Sequence, residues 1–228
     1  MSNSDDEKRL AAAAAVAWVK DGMVVGLGTG STATHAITLL GKLCREGLSI
    51  RGIPTSSRSA ALAWEVGIPL VELERAGQID VTIDGADEFD PHLNLLKGGG
   101  GALLREKIVA SCSKKVVIVA DSSKQVPVLG KFPLPVEVLP FAAQAIAQRL
   151  REEHDIEVVL REGPEGLFLS DQANWIADCH FGAIPDPSAL GVYLSSIPGV
   201  LGHGLFTGLA SVLLVAQDGA VREIYPGV

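Results

Sequence analysis

This sequence of 228 residues is poor in several things, and each shortage removes a class of function. Cysteine occurs only as Cys44, Cys112 and Cys179, with no C-x-x-C motif and no Cys/His pairing. That spacing supports neither a disulfide framework nor a zinc site, so all three are expected to be buried thiols in a reducing compartment. The histidines, His35, His92, His154, His180 and His203, are equally scattered and show no H-x-x-x-H spacing, so no metal is expected. Long apolar runs are missing as well. The longest, residues 10–19, is bracketed by Arg9 and Lys20 and falls well short of the roughly 20 residues that span a bilayer. Asp5, Asp6 and Glu7 stand where a secretory leader would carry positive charge, so a cytoplasmic protein without a membrane partner is expected. Positive charge is itself in deficit, 19 Lys and Arg against 27 Asp and Glu for a net charge of −8, which argues against a nucleic-acid groove. No internal repeat, low-complexity tract or long linker is present.

Glycine is in excess, 25 residues in all, against an average of about 7%. Residues 5–20, acidic at the start and ending in Lys20, predict an N-terminal helix. Residues 23–27 predict a strand that breaks into Gly28-Thr29-Gly30-Ser31-Thr32, followed by a helix over 33–45. The unit repeats as a strand at 49–54, the hydroxyl loop Thr55-Ser56-Ser57 and a helix over 58–66. Residues 79–83 and 115–120 predict two more strands, which end in Asp84-Gly85-Ala86-Asp87-Glu88 and Asp121-Ser122-Ser123-Lys124. These strands are almost continuously apolar, as a parallel sheet covered on both faces requires, so the fold class is α/β and Rossmann-like. From residue 132 the texture changes to strand 136–139, helix 142–153, strands 156–161 and 167–177, helix 187–196 and strand 200–206, the order of a ferredoxin-like α+β layer. Residues 211–216 return to continuous hydrophobicity and predict a strand of the first sheet. The expected domains are therefore 1–131 plus 208–228, with 132–207 inserted.

Two loops carry the chemistry. The first, from Gly26 through Thr32, sets successive amides and two hydroxyls at a helix start, where unpaired donors and the macrodipole favour an anion. It is not a Walker loop, because no Lys precedes Ser31-Thr32, and Ser31 takes the place of the third glycine of a dinucleotide fingerprint. A capped turn with no ligand is the plainer reading of such a loop. The second constellation adds three carboxylates, Asp84, Asp87 and Glu88, at a strand's carboxyl end, the edge where open α/β sheets bind ligands. Beyond them comes Lys97-Gly98-Gly99-Gly100-Gly101, then Arg105-Glu106-Lys107 on the following helix. Consecutive glycines lose much backbone entropy on ordering, which points to close main-chain approach to a ligand. The plainer readings are a capped turn for Asp84 and Asp87 and a surface ion pair for Glu106.

These motifs, continued by Asp121-Ser122-Ser123-Lys124-Gln125, by Leu129-Gly130-Lys131-Phe132-Pro133-Leu134-Pro135-Val136-Glu137-Val138 and by Ile197-Pro198-Gly199-Val200, closely resemble, in order and spacing, the type A ribose-5-phosphate isomerase family. The resemblance implies interconversion of D-ribose 5-phosphate and D-ribulose 5-phosphate in the pentose phosphate route, without metal or nucleotide cofactor, by a homodimer or tetramer. Carried over by motif, Glu106 is the general base. Thr29, Gly30, Ser31 and Thr32, then Asp84, Gly85, Ala86 and Asp87, then Lys97, Gly98, Gly99 and Gly100, and finally Lys124, contact the substrate. Lys8 is a weaker candidate for the phosphate, and Gly101 stands where alanine is common in the family. Aldose–ketose isomerisation moves a proton between adjacent carbons through an enediolate, which needs one base and preorganised donors for the developing oxyanion, here Lys97 and the amides of 98–101. Ring opening needs a further acid–base pair from Asp84, Asp87 and Lys97. A non-catalytic sugar-phosphate sensor is the alternative, against which stands the absence of a DNA-reading module. A related amino-sugar isomerase or lactone hydrolase would want a working histidine, and His92 is the nearest.

Overall fold

The computed structural model describes residues 4–164 and 166–227, so 1–3, 165 and 228 of the expected domains lie outside the described residues. Along the chain, α1 (Ser4–Val16) precedes β1 (Val24–Leu27), α2 (Ser31–Arg45), β2 (Arg51–Pro54), α3 (Ser57–Glu65), the short α4 (Leu73–Ala76) and β3 (Val81–Gly85). Two short strands, β4 (Glu88–Phe89) and β5 (Leu95–Leu96), lead to α5 (Leu103–Ser111) and β6 (Val116–Asp121). Then come β7 (Leu134–Val138), α6 (Ala143–His154), β8 (Glu157–Leu160), the pair β9 (Glu162–Gly163) and β10 (Gly166–Leu167), β11 (Trp175–His180) and α7 (Pro187–Ser195). β12 (Val200–His203), β13 (Leu205–Phe206), β14 (Val212–Gln217) and β15 (Ala220–Ile224) complete the order.

The chain forms two compact units, Met1–Ala86 with Arg105–Lys124 and Gly208–Val228, and Asp87–Leu104 with Gln125–Thr207. In the first, a sheet of order β15-β14-β6-β3-β1-β2 is parallel except for β15. β1, β6 and β14 are buried along almost their whole length because both faces are covered there, while the edge strands β2 and β15 are partly exposed. Ala11, Ala12 and Ala15 of α1 and Ala36, Ile37 and Leu40 of α2 pack on Val25, Val117, Val119 and Leu214, while Val109 of α5 packs with Val24, Ile53 and Ile79 on a separate cluster. β14 lies parallel to β6, so the strand expected at 211–216 does return to the first sheet.

In the second unit the sheet has the order β12-β7-β11-β8 with antiparallel neighbours, the ferredoxin-like arrangement. Val136 and Val138 of β7 face a core with Ile146 and Leu150 of α6 and Leu194 of α7; strand alternation sends Pro135 and Glu137 to the opposite face. The second unit is wider than the expected insertion, since it also takes in residues 87–104 and 125–131. The reason is local. Buried Glu88 accepts hydrogen bonds from the N–H groups of Gly130 (2.8 Å) and Phe132, and β4 joins β5 and β13 in a three-stranded sheet.

Two strand expectations change. Residues 200–206 do not form one strand, because the chain switches sheets at Gly204, where a Cβ would stand 2.2 Å from the Lys97 carbonyl oxygen. The strand expected over 167–177 is interrupted by a turn in which the Ser170 hydroxyl accepts the N–H of Asn174 (3.3 Å) and Ala173 has φ 57°, so β11 starts at Trp175. The cysteine expectation holds only for Cys179, which is buried with its thiol pushed up to about 12 by desolvation; Cys44 is half-buried and Cys112 exposed.

Candidate active site

Parallel strands share a direction, so the loops after β1, β2, β3 and β6 gather along one edge of the first sheet. β1 lies between β2 and β3, which makes the β1/β3 gap the switch point where such sheets open a ligand crevice. There the Gly28 N–H donates to the Ile83 carbonyl at 2.9 Å. Asp84, 2% exposed, accepts the N–H groups of Thr29 (3.1 Å) and Gly85 (2.8 Å) on Oδ1. Only glycine fits at position 28: a Cβ would stand 2.3 Å from Asp84 Oδ1 and 2.6 Å from Asp84 Cα. Thr29 Oγ1 bonds Thr55 Oγ1 at 2.8 Å and Ser56 Oγ at 2.7 Å, so the hydroxyl loop after β2 braces the glycine loop after β1. Gly30 caps α2 at φ 111° without a side-chain hydrogen bond, which leaves the amides at Ser31 and Thr32 with no acceptor from the cap. A cavity of about 280 Å³ opens beside this loop, with Thr34 and Arg58 in its wall. Sequence reasoning passed over Arg58, which belongs to no motif and is brought there by the packing of α3 against α2.

Lys124 lies in the turn after β6, at the same sheet edge. Buried Glu7 of α1 accepts the Ser122 N–H (3.3 Å) and hydroxyl (3.2 Å), which ties α1, and with it half-buried Lys8, to that turn. Glu106 stands in the first turn of α5, only 4% exposed, where the helix dipole favours a carboxylate. Burial pulls the ammonium of its neighbour Lys107 down to about 8.

The second unit holds the other glycine loop. The Asp87 N–H donates to the Leu96 carbonyl (2.8 Å) and the Lys97 N–H to the Gly204 carbonyl (2.8 Å), so both residues sit at the ends of the small sheet. The Asp87 carboxylate accepts the Gly99 N–H at 2.8 Å. Lys97 is 3% exposed, with its ammonium 5.4 Å from the centre of the Phe206 ring. Gly98 at φ 104° and Gly101 at φ 77° need glycine's freedom, and a Cβ at 101 would meet the Phe168 ring at 2.4 Å. Arg161 donates to the carbonyls of Gly98 (3.0 Å) and Gly99 (3.1 Å). His92 is exposed on the turn that buried Asp90 holds by accepting the N–H groups of His92 and Asn94. The predicted residues are thus shared out: Thr29 to Thr32, Asp84 to Ala86, Glu106 and Lys124 belong to the first unit, and Asp87 and Lys97 to Gly100 to the second.

Residues 51–219 match the family model for ribose 5-phosphate isomerase A (phosphoriboisomerase A). The ribose-5-phosphate isomerase A of Nitrobacter hamburgensis is 50% identical over 226 residues, covering 96% of this chain and 97% of that protein. The homologue from Parvibaculum lavamentivorans is 48% identical over 95% of this chain and 96% of its own length. A D-ribose-5-phosphate isomerase solved in complex with phospho-erythronic acid superposes with a TM-score of 0.95 at 38% identity, covering 98% of this chain and all (100%) of its own. Ribose 5-phosphate isomerase A from Methanocaldococcus jannaschii superposes at 0.93 with 41% identity over 98% of this chain and 100% of its own. Motif order, topology and these likenesses agree, and the chain belongs to the ribose 5-phosphate isomerase A family.

Proposed function

We propose that this isomerase interconverts D-ribose 5-phosphate and D-ribulose 5-phosphate through an enediolate, with Glu106 carrying the proton between adjacent sugar carbons. The observation that supports this reading most is the pairing, at the β1/β3 switch point, of an uncapped helix start with the buried Asp84 carboxylate. The helix start suits a phosphate, with Ser31, Thr32 and Lys124 as its partners, and that remote grip orients the reacting carbons. Thr29, Gly30, Gly85 and Ala86 shape the crevice by main chain, while Asp84, Asp87 and Lys97 supply the acid and base that open the sugar ring. The amides of Gly98 and Gly100 and the Lys97 ammonium meet the enediolate oxygen, while the Gly99 N–H holds the Asp87 carboxylate at 2.8 Å. A buried carboxylate such as Glu106 is a poor surface ion-pair partner but a good base, because it exchanges its proton only with what enters the site.

The working form is a homodimer, with a tetramer as the alternative, in the cytoplasm; no helix among the described residues is long and apolar enough to cross a membrane. No metal or nucleotide is required. Glu88 spends its carboxylate on two amides, and Asp84 and Asp87 each bind main-chain N–H groups, an arrangement that suits oriented acids and bases more than cation ligands. EDTA is therefore expected to leave the rate unchanged, and activity lost in EDTA and restored by a divalent cation would contradict the proposal. The deciding assay follows ketose formation from ribose 5-phosphate. Binding without turnover would favour the sensor alternative.

A further inference from the structure

We infer that Arg161 is a positioning residue for the oxyanion donors of the 98–101 loop. The inference rests on the proposed role of that loop and concerns only the second unit. The Arg161 guanidinium is largely buried and forks onto Asp178, with Nε 2.8 Å from Oδ2 and Nη2 on Oδ1, so its plane is set. Its remaining edge faces the glycine loop, where Nη1 donates to the Gly98 and Gly99 carbonyls.

Peptide planarity turns these two bonds into a statement about donors. In a trans peptide the N–H of the next residue points opposite to the carbonyl. With the Gly98 carbonyl on Arg161, the Gly99 N–H must point away from it, and it does, onto Asp87 at 2.8 Å. By the same geometry the Gly99 carbonyl on Arg161 sends the Gly100 N–H to the face that carries Asp87. Two successive amides are thus aimed to one side by a cation on the other. Glycines choose no orientation for themselves, since either sign of φ is open to them.

The floor under the loop is built for the same purpose. Phe168 lies under Gly101 and against the Arg161 guanidinium, 5.7 Å from the ring centre. The turn after it is anchored on fully buried Glu137, which accepts the Ser170 hydroxyl (2.7 Å) and the Asn174 amide (2.9 Å). The hydrogen bonds of Arg161 go to Asp178 and to the Gly98 and Gly99 carbonyls, so its effect passes through the loop.

The test compares wild type with Arg161→Lys and Arg161→Met, in kcat, KM and affinity for a phosphorylated four-carbon aldonic acid, whose carboxylate resembles the enediolate, against affinity for inorganic phosphate. Misplaced catalytic groups cost about 10²-fold, so Arg161→Met is expected to lose about that much kcat and bind the aldonate correspondingly less tightly, with KM and phosphate affinity close to wild type. Arg161→Lys keeps the charge but cannot bridge Asp178 and two carbonyls, and should recover only part of the loss. Guanidinium ion added to Arg161→Ala should raise kcat. Variants that melt earlier but keep wild-type kcat per folded molecule would reduce Arg161 to structural glue and overturn the inference. A wild-type chain that leaves ribose 5-phosphate unchanged would overturn the functional proposal as well, which separates the two failures.

Discussion

The two glycine loops draw on space and conformation in different measure. At Gly28 glycine is needed for lack of space, because the backbone of β3 lies where a Cβ would be, and the donors beyond it come from the start of α2. At 98–101 the glycines are needed for conformation as much as for space. The turn is closed by the Gly101 N–H on the Gly98 carbonyl (3.0 Å), and partners distant in sequence brace it, Asp87 on one side and Arg161 on the other. A helix start supplies its own oriented amides, whereas the 98–101 turn takes this further bracing.

Substitution separates these cases, and the largest effect is expected where chemistry is lost outright. Glu106→Gln keeps shape and removes the basic oxygen, so kcat should fall by about 10²–10⁴ while binding and circular dichroism persist. Near wild-type turnover and solvent deuterium incorporation would transfer the role of base to Asp84 or Asp87. Next come the loops themselves. Gly28→Ala drives a methyl into the Asp84 Cα, which cannot retreat, and should cost at least about 10² in kcat/KM. Gly99→Ala meets the Asp87 carboxylate at 2.9 Å, a side chain able to yield by tenths of an ångström, and should cost less than about tenfold. Equal losses would show that crowding does not distinguish the loops.

Removing the proposed phosphate partner should act chiefly on binding. Lys124→Ala is expected to raise KM about tenfold or more with a smaller effect on kcat, consistent with about 1.5–3 kcal/mol for a hydrogen bond to a charged group, and free ribose should be a poor substrate for the intact enzyme. Equal efficiency with ribose and ribose 5-phosphate would leave the first loop a tight turn that grips no phosphate. The smallest effect concerns stability. Burial holds the Lys107 ammonium at about 8 instead of 10.5, so between those values the unfolded chain binds more protons and folding stability should rise with pH. The cost of the buried charge is present in full below pH 8 and fades towards 10.5. Urea midpoints at pH 7.5 and 10 should differ by less in Lys107→Met, and an unchanged difference would remove Lys107 as the cause.

Much of this is legible in the sequence. Continuous apolar runs identified β1, β3, β6 and β14, since burial on both faces leaves no polar alternation to confuse the reading. The strand–helix order after residue 132 was also readable, from the amphipathic face of α6 and from apolar runs separated by turn residues. The short strands β4, β5 and β13 were not, as two residues contain no period, and the expected strand 200–206 hid a change of sheet at Gly204. Arg58 and Arg161 were invisible for another reason: a lone arginine reads the same on a solvated face as in a site.

What the sequence determined by itself are the features whose physics is local: the places of the two glycine loops, strands whose hydrophobicity declares a covered sheet, and a motif order specific enough to identify the family. Tertiary structure alone decided which carbonyls Arg161 grips, that Glu88 is spent on the amides of Gly130 and Phe132, and that the Asp84 carboxylate receives the Thr29 amide from the neighbouring strand's loop. These partners lie tens of residues apart, and a hydrogen bond depends on a few tenths of an ångström and an angle. No pattern along the chain carries that information until packing brings the partners into register.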